Sequence, residues 1–288
     1  MDLLKETIKF EDLKVHRTVS DDGTEIAGRI IGHGPPLLLM PAGPGDSETS
    51  WCRVLPFLIA RFTCYLVNTR SRGLSGKSED LSPRRLAEDV SAFAKSIGEP
   101  VSVVCWGTFV LPNKVLNGET ISGIAAYEPF VSNLESKEET EHQNELFGHM
   151  GELVYKGHYS EAANYFLENF RYYNDEDMAV GAPKVFWKTA EPNIPVFFQE
   201  LDQANRSKEP DPTDHSVLRE IKVPTLLLKG SQSHPIFIKS IDYCYEHLDN
   251  SEVRQIEGTG HFGPYIRPEA VARNLVEFFE NVQKKKDL

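Results

Sequence analysis

Val103-Val104-Cys105-Trp106-Gly107-Thr108-Phe109-Val110 is the stretch around which the rest of the chain is organised. An apolar run enters a glycine, and apolar residues resume at a different spacing. That pattern reads as a strand, a tight turn and then a helix.

Upstream, Leu37-Leu38-Leu39-Met40 is fully apolar, as expected of a strand buried on both faces of a parallel sheet. It ends in Pro41-Ala42-Gly43-Pro44-Gly45, a loop whose glycines let backbone N–H groups point into a cavity. A helix is expected after Asp46 or Ser47, then a strand at Phe62–Val67 and the segment Asn68–Ser75. Ser82-Pro83 opens a further helix, with Leu86, Val90, Phe93, Ala94 and Ile97 at helical spacing, and Gly98-Glu99-Pro100 stops it. Before all of these, residues 8–31 alternate around Asp21-Asp22-Gly23 and predict an antiparallel hairpin.

Downstream, Ile121–Tyr127 predicts a strand ending at Glu128-Pro129. Residues 132–215 change character, with helical windows at roughly 138–155, 159–172 and 194–205 and many aromatic residues. They read as a helical cap inserted into a core made of 1–131 and 216–288, and helical spacing explains most of the aromatics as cap core. Strands follow at Thr225–Leu228 and Glu252–Ile256, the second ending in Gly258-Thr259-Gly260-His261-Phe262, and a helix from Pro268 to about Val282 closes the chain. Strands alternating with helices argue an α/β fold with a doubly wound, mostly parallel sheet.

With 288 residues and 40% hydrophobic content, the chain can bury one large core. The formal charge of −12 argues against nucleic acid and anionic membrane surfaces as partners. Cys52, Cys64, Cys105 and Cys244 show no metal-ligand spacing, so reduced thiols in a cytoplasmic protein are expected. No run approaches the apolar length of a membrane span, and Met1–Glu6 has no signal-like apolar region. Lys284-Lys285-Lys286 reads as a solvated tail.

The order and spacing of five stretches resemble the α/β-hydrolase superfamily over nearly the whole chain. They are Pro41–Gly45, Asn68–Ser75, the Cys105–Phe109 turn, Pro224–Gly230 and Gly258–Phe262. The resemblance implies the α/β-hydrolase fold: about eight strands, mostly parallel, with the cap over their C-terminal edge. It also implies a serine that attacks a carbonyl, a histidine that takes its proton and an acid that fixes the histidine tautomer. His261 matches the histidine. The position that should carry serine carries Gly107, and Gln232 stands where the acid usually follows. Some members, such as haloalkane dehalogenases, carry the acid one strand earlier, where this chain has Glu128. The plainer reading of Glu128 is a turn carboxylate ahead of Pro129.

Two registers of the turn compete. One places Gly107 at the nucleophile position, with Phe109 and Val110 where small residues normally allow close helix–strand approach. The other makes Cys105 the nucleophile, in the style of dienelactone hydrolases. It shortens the strand by two residues and sets Val103 where glycine is preferred. A buried cysteine is usually a small hydrophobe.

The backbone donors of an oxyanion hole do not depend on a serine, and here they would be the N–H groups of Gly43 and Thr108. Trp106, Gly107 and Phe109 are expected to contact substrate. Three functions follow. His261, oriented by Glu128, would perform cofactor-independent proton transfer (epimerase, isomerase or lyase chemistry) on a carbonyl-containing small molecule or peptide with a hydrophobic portion. A serine-less peptide-epimerising enzyme of bottromycin biosynthesis belongs to the same superfamily. Alternatively Cys105, His261 and Glu128 form a thiol hydrolase, or the protein is an inactive pseudo-hydrolase that binds a ligand. No reading calls for a metal or a cofactor.

Overall fold

The hydrophobic runs resolve into one eight-stranded sheet in a computed structural model that describes residues 8–108 and 120–286. The strands are β1 (Lys14–Val19), β2 (Glu25–Gly32), β3 (Pro36–Leu39), β4 (Thr63–Val67), β5 (Val101–Trp106), β6 (Ile121–Tyr127), β7 (Thr225–Gly230) and β8 (Ser251–Ile256). Their order is β1-β2-β4-β3-β5-β6-β7-β8. β2 is antiparallel to both neighbours, and every pairing from β4 to β8 is parallel. The hairpin, the strands and the mostly parallel sheet are those expected from the sequence.

Helices fill the connections: α1 (Ser47–Trp51), α2 (Leu55–Leu58), α3 (Pro83–Ile97), α4 (Lys137–Tyr155), α5 (Tyr159–Asn169), α6 (Asp175–Ala179), α7 (Ala182–Ala190), α8 (Ile194–Arg206), α9 (His215–Leu218), α10 (Pro235–His247), α11 (Gly263–Ile266) and α12 (Pro268–Lys286). Six of them, α4 to α9, lie between β6 and β7. The window expected to run to residue 172 stops at Asn169, because Phe170 turns extended. The lysines at 284–286, read as a solvated tail, form the last turn of α12, and Lys284 and Lys285 are exposed there. Polar residues can prolong an exposed helix without leaving an apolar signal.

β3, β5 and β6 are buried along their whole length, so their alternate residues feed two separate cores. Leu37, Leu39, Val104, Trp106, Ala125 and Tyr127 join one cluster, together with α12 and the helical insertion. Leu38, Val103, Cys105, Ile124 and Ala126 join the other, packed with Val90 and Phe93 of α3 and Ile241 of α10. This alternation sets Trp106 and Cys105 on opposite faces of the sheet.

The chain enters the parallel part at β3, steps outward to β4, then crosses back to β5 and continues the other way. The loops after β3 and β5 therefore diverge side by side. A crevice at such a reversal is where open α/β sheets place ligands. The expected helix after Gly107, with Phe109 and Val110, lies outside the described residues.

Candidate active site

The turn after β5 is tied at both ends. The Gly107 N–H donates to the Tyr127 carbonyl at 2.9 Å, and the Phe130 N–H donates to the Gly107 carbonyl at 3.2 Å. Gly107 has φ +73°, in the left-handed region that suits glycine. A Cβ built on it would lie 3.5 Å from His261 Nε2 and 3.6 Å from Cε1. Position 107 is thus the one whose side-chain direction aims at the imidazole. Cys105 is not brought there. It is wholly buried in the opposite cluster, so a thiol at 105 faces the α3 layer. The expectation of Cys105 as a nucleophile is corrected by this strand alternation, which the shortened register overlooks.

His261 follows β8, and its Nδ1 lies 3.1 Å from Glu128 Oε2. Glu128 is fully buried at the end of β6, and its Oε1 also accepts from the Gly230 N–H at 2.8 Å and from the Ser233 hydroxyl. All three partners are donors, which suits a carboxylate and assigns the imidazole proton to Nδ1. Nε2 is then left with its lone pair toward Gly107. Glu128 holds φ +43°, a strained conformation for a residue with a side chain. Such strain persists where the surroundings over-determine it, and functional sites are common settings. The ring of His261 stacks on Phe237, with centroids 4.2 Å apart and planes 9° from parallel. Trp106 Nε1 donates to the His261 carbonyl at 3.0 Å.

Gln232 does not approach the histidine. Its side-chain amide points outward to Glu176, and its backbone carbonyl accepts from Asn174 Nδ2 at 2.8 Å.

Two further residues hold the site, and neither was singled out by the sequence. Asp177 on α6 is fully buried and accepts the N–H groups of Gly260 at 3.3 Å and Phe262 at 3.0 Å, one on each side of His261. Burial raises its carboxyl above the usual range, opposed by those backbone bonds. In sequence it is one of three consecutive acids, Asp175-Glu176-Asp177, which read as ordinary first-turn charges. Arg72 is the second. Its Nη1 donates to the carbonyls of Gly43 and Gly45, both at 2.7 Å, and its Nη2 pairs with Glu200 on α8. Burial raises the Glu200 carboxyl, with the Arg72 guanidinium opposing. The Asn68–Ser75 stretch marked the place, but nothing local pointed to a partner 128 residues away.

Above the turn lies a cavity of about 570 Å³ lined by Gly43, Trp106, Gly107, Thr108 and His261 from the sheet end. Its other walls are largely aromatic: Phe130, Phe147, Phe166, Phe170, Tyr173, Phe186, Trp187, Phe197, Phe198, Phe237 and Phe262. Some aromatics expected as cap core thus face the cavity as well. Among the described lining residues, Glu135 and Asp202 are acidic and there is no lysine or arginine. The described residues contain no His, Cys, Asp and Glu grouping able to hold a metal ion. Nor does any described helix have the length and apolarity to cross a membrane.

Residues 37–274 match the model of the alpha/beta hydrolase family. Among curated proteins, the monoacylglycerol lipase ABHD6 of Mus musculus is 31% identical over 68 residues, covering 24% of this chain and 20% of that protein. The match therefore spans only about a fifth of the relative's length. Solved structures are similar over far more of the chain. An alpha/beta hydrolase from Sphaerobacter thermophilus has a TM-score of 0.70 at 23% identity, covering 92% of this chain and all of that one. A thermophilic esterase from Thermogutta terrifontis has a TM-score of 0.74 at 18% identity, covering 93% and 99%. A bromoperoxidase from Bacillus anthracis has a TM-score of 0.72 at 17% identity, covering 92% and 100%. At these identities the likeness is one of fold.

Proposed function

The chain belongs to the α/β hydrolase family, and from that premise we propose that it is a cofactor-independent acid/base enzyme acting on an apolar, carbonyl-containing molecule. The supporting observation is the alignment of Glu128, His261 and Gly107: the Nδ1–Oε2 contact of 3.1 Å on one side of the ring, and the vacant side-chain direction of Gly107 3.5 Å from Nε2 on the other.

The substrate carbonyl sits over the turn, with its oxygen held by the N–H groups of Gly43 and Thr108. Polarising that oxygen acidifies the adjacent carbon. His261 Nε2 takes the proton from that carbon, and the C–H electron pair moves into a new C=C bond while the carbonyl π pair moves onto oxygen. The resulting enolate is held by the same two donors, and the imidazolium by Glu128. Once the imidazolium proton has been replaced by one from solvent, its delivery to the same face of the carbon gives exchange, and delivery of a proton to the other face gives inversion. Trp106 and Phe237 exclude water and hold the ring, and the place of a nucleophile's side chain is left to substrate. Work of this kind contributes roughly 10²–10⁴ in rate.

A second reading is hydrolysis by a water that His261 activates beside Gly107, favoured by the esterase among the similar folds. One experiment separates the two. Carbonyl ligands incubated with the protein in D2O acquire deuterium at the α-carbon under the first reading. Under the second they release acid without exchange. Neither event, with a ligand shown to bind, leaves a binding protein.

A further inference from the structure

One wall of the cavity carries a polar group that neither the fold nor this chemistry uses. Gln143 lies on α4, is 7% exposed and lines the cavity. Neither its Nε2 nor its Oε1 has a hydrogen-bond partner among the described residues. Its amide approaches the Tyr172 hydroxyl without a bond of normal geometry, and that hydroxyl already donates to Glu135. A buried amide without partners opposes folding. The same helix sends Leu146 and Met150 into the core, where apolar residues serve it well. An amide is therefore the wrong side chain for packing at 143, and the right one for a ligand.

The group stands apart from the base but in the same cavity. Phe237 stacks on His261, Phe130 is 6.2 Å from Phe237 and Tyr172 is 6.1 Å from Phe130, ring to ring. Gln143 lies beyond these rings, beside Tyr172. Phe147 and Phe166, with ring centroids 6.0 Å apart, line the same cavity.

We propose that Gln143 is a specificity-determining residue that pairs with an amide edge of the ligand, making the substrate a neutral, peptide-like molecule with apolar side chains. A glutamine amide offers one acceptor and donors side by side. The matching edge has an N–H and a C=O pointing the same way. An extended peptide residue presents that edge, since its own N–H and C=O share a side, and so does a primary carboxamide. An ester or a hydrocarbon chain does not. The inference rests on reading this cavity as the substrate site.

The test uses a matched pair of probes: N-acetyl-diphenylalanine amide, and the all-ester analogue of the same shape, O-acetyl-phenyllactyl-phenyllactic acid methyl ester, in which oxygen replaces all three nitrogens and no N–H donor remains. Binding is read by the fluorescence of Trp106 and Trp187, both in the cavity wall. The parent protein should bind the amide roughly tenfold more tightly than the ester, the worth of one or two neutral hydrogen bonds. Gln143→Leu should bind the two alike and melt at a higher temperature, having lost a buried unpaired amide. Gln143→Met serves the same comparison if leucine disturbs folding. Equal binding of both probes by the parent overturns the assignment of Gln143 alone, as does a preference that survives in the variants. Failure of both probes to bind the parent overturns the substrate-cavity reading with it.

Discussion

A Cβ placed on Gly107 would end 3.5 Å from His261 Nε2, so the backbone at the end of β5 still points at the imidazole where the chain supplies no side chain. Filling that direction has two predicted effects. Gly107→Ala should cost about 1–2 kcal/mol, because an L-residue is strained at φ +73°, and should occupy the space left to substrate beside Nε2. Gly107→Ser should bring a hydroxyl within reach of the base and gain labelling by a fluorophosphonate, which requires an activated hydroxyl. Labelling of the parent at the elbow, or none of the serine variant when folded, would contradict this register.

Asp177 makes a pH-dependent contribution with a definite sign. Its carboxyl is raised in the folded protein, chiefly by burial. The native state therefore binds its proton more tightly than the unfolded chain, and stability from this group is lost as pH rises through the folded value. Compared with Asp177→Asn, the parent should gain stability as pH falls from neutrality toward the ordinary aspartate value of 3.8. Urea unfolding of both proteins at the two ends of that range checks it. A parent that instead loses stability relative to Asp177→Asn on acidification would show the carboxylate to be stabilised by its two N–H donors more than burial opposes it.

The parts of the fold that could be read from the sequence are those in which one local pattern decides the outcome. Leu37–Met40 and Val101–Trp106 announce strands buried on both faces, because such strands need no alternation. The meeting of Glu128 and His261 also follows from their places just past β6 and β8, which end at the same edge of the sheet. What stays hidden is decided by contacts between distant segments. Cys105 and Trp106 are adjacent in sequence, yet only strand pleat and the identity of each layer send one to the core and the other to the cavity. Asp177 is indistinguishable from its acidic neighbours until α6 packs on the loop of His261. Gln143 looks like any polar position in a helix until the cavity forms around it.

Arg72 ties the loop of Gly43 to the helical insertion through Glu200. Removing one partner of a buried pair leaves an uncompensated charge, so Glu200→Gln and Arg72→Met should each destabilise by about 3–5 kcal/mol. Arg72→Lys should rescue poorly, since a single ammonium cannot reproduce a fork that reaches two carbonyls and a carboxylate. Thermal unfolding of the three variants measures this. A lysine variant as stable as the parent would reduce Arg72 to a point charge.

The central claim is that His261 and Glu128 act as one unit, and a double-mutant cycle on α-deuterium exchange tests it most directly. His261→Ala should slow exchange into a bound carbonyl ligand by roughly 10²–10⁴, and Glu128→Gln should slow it in the same direction by leaving the imidazole without its carboxylate. Circular dichroism must first show each variant folded. The account predicts that the double variant is no slower than His261→Ala alone, because a positioning group has nothing left to position. Losses that simply add, or a parent-like rate in either single variant, would contradict it.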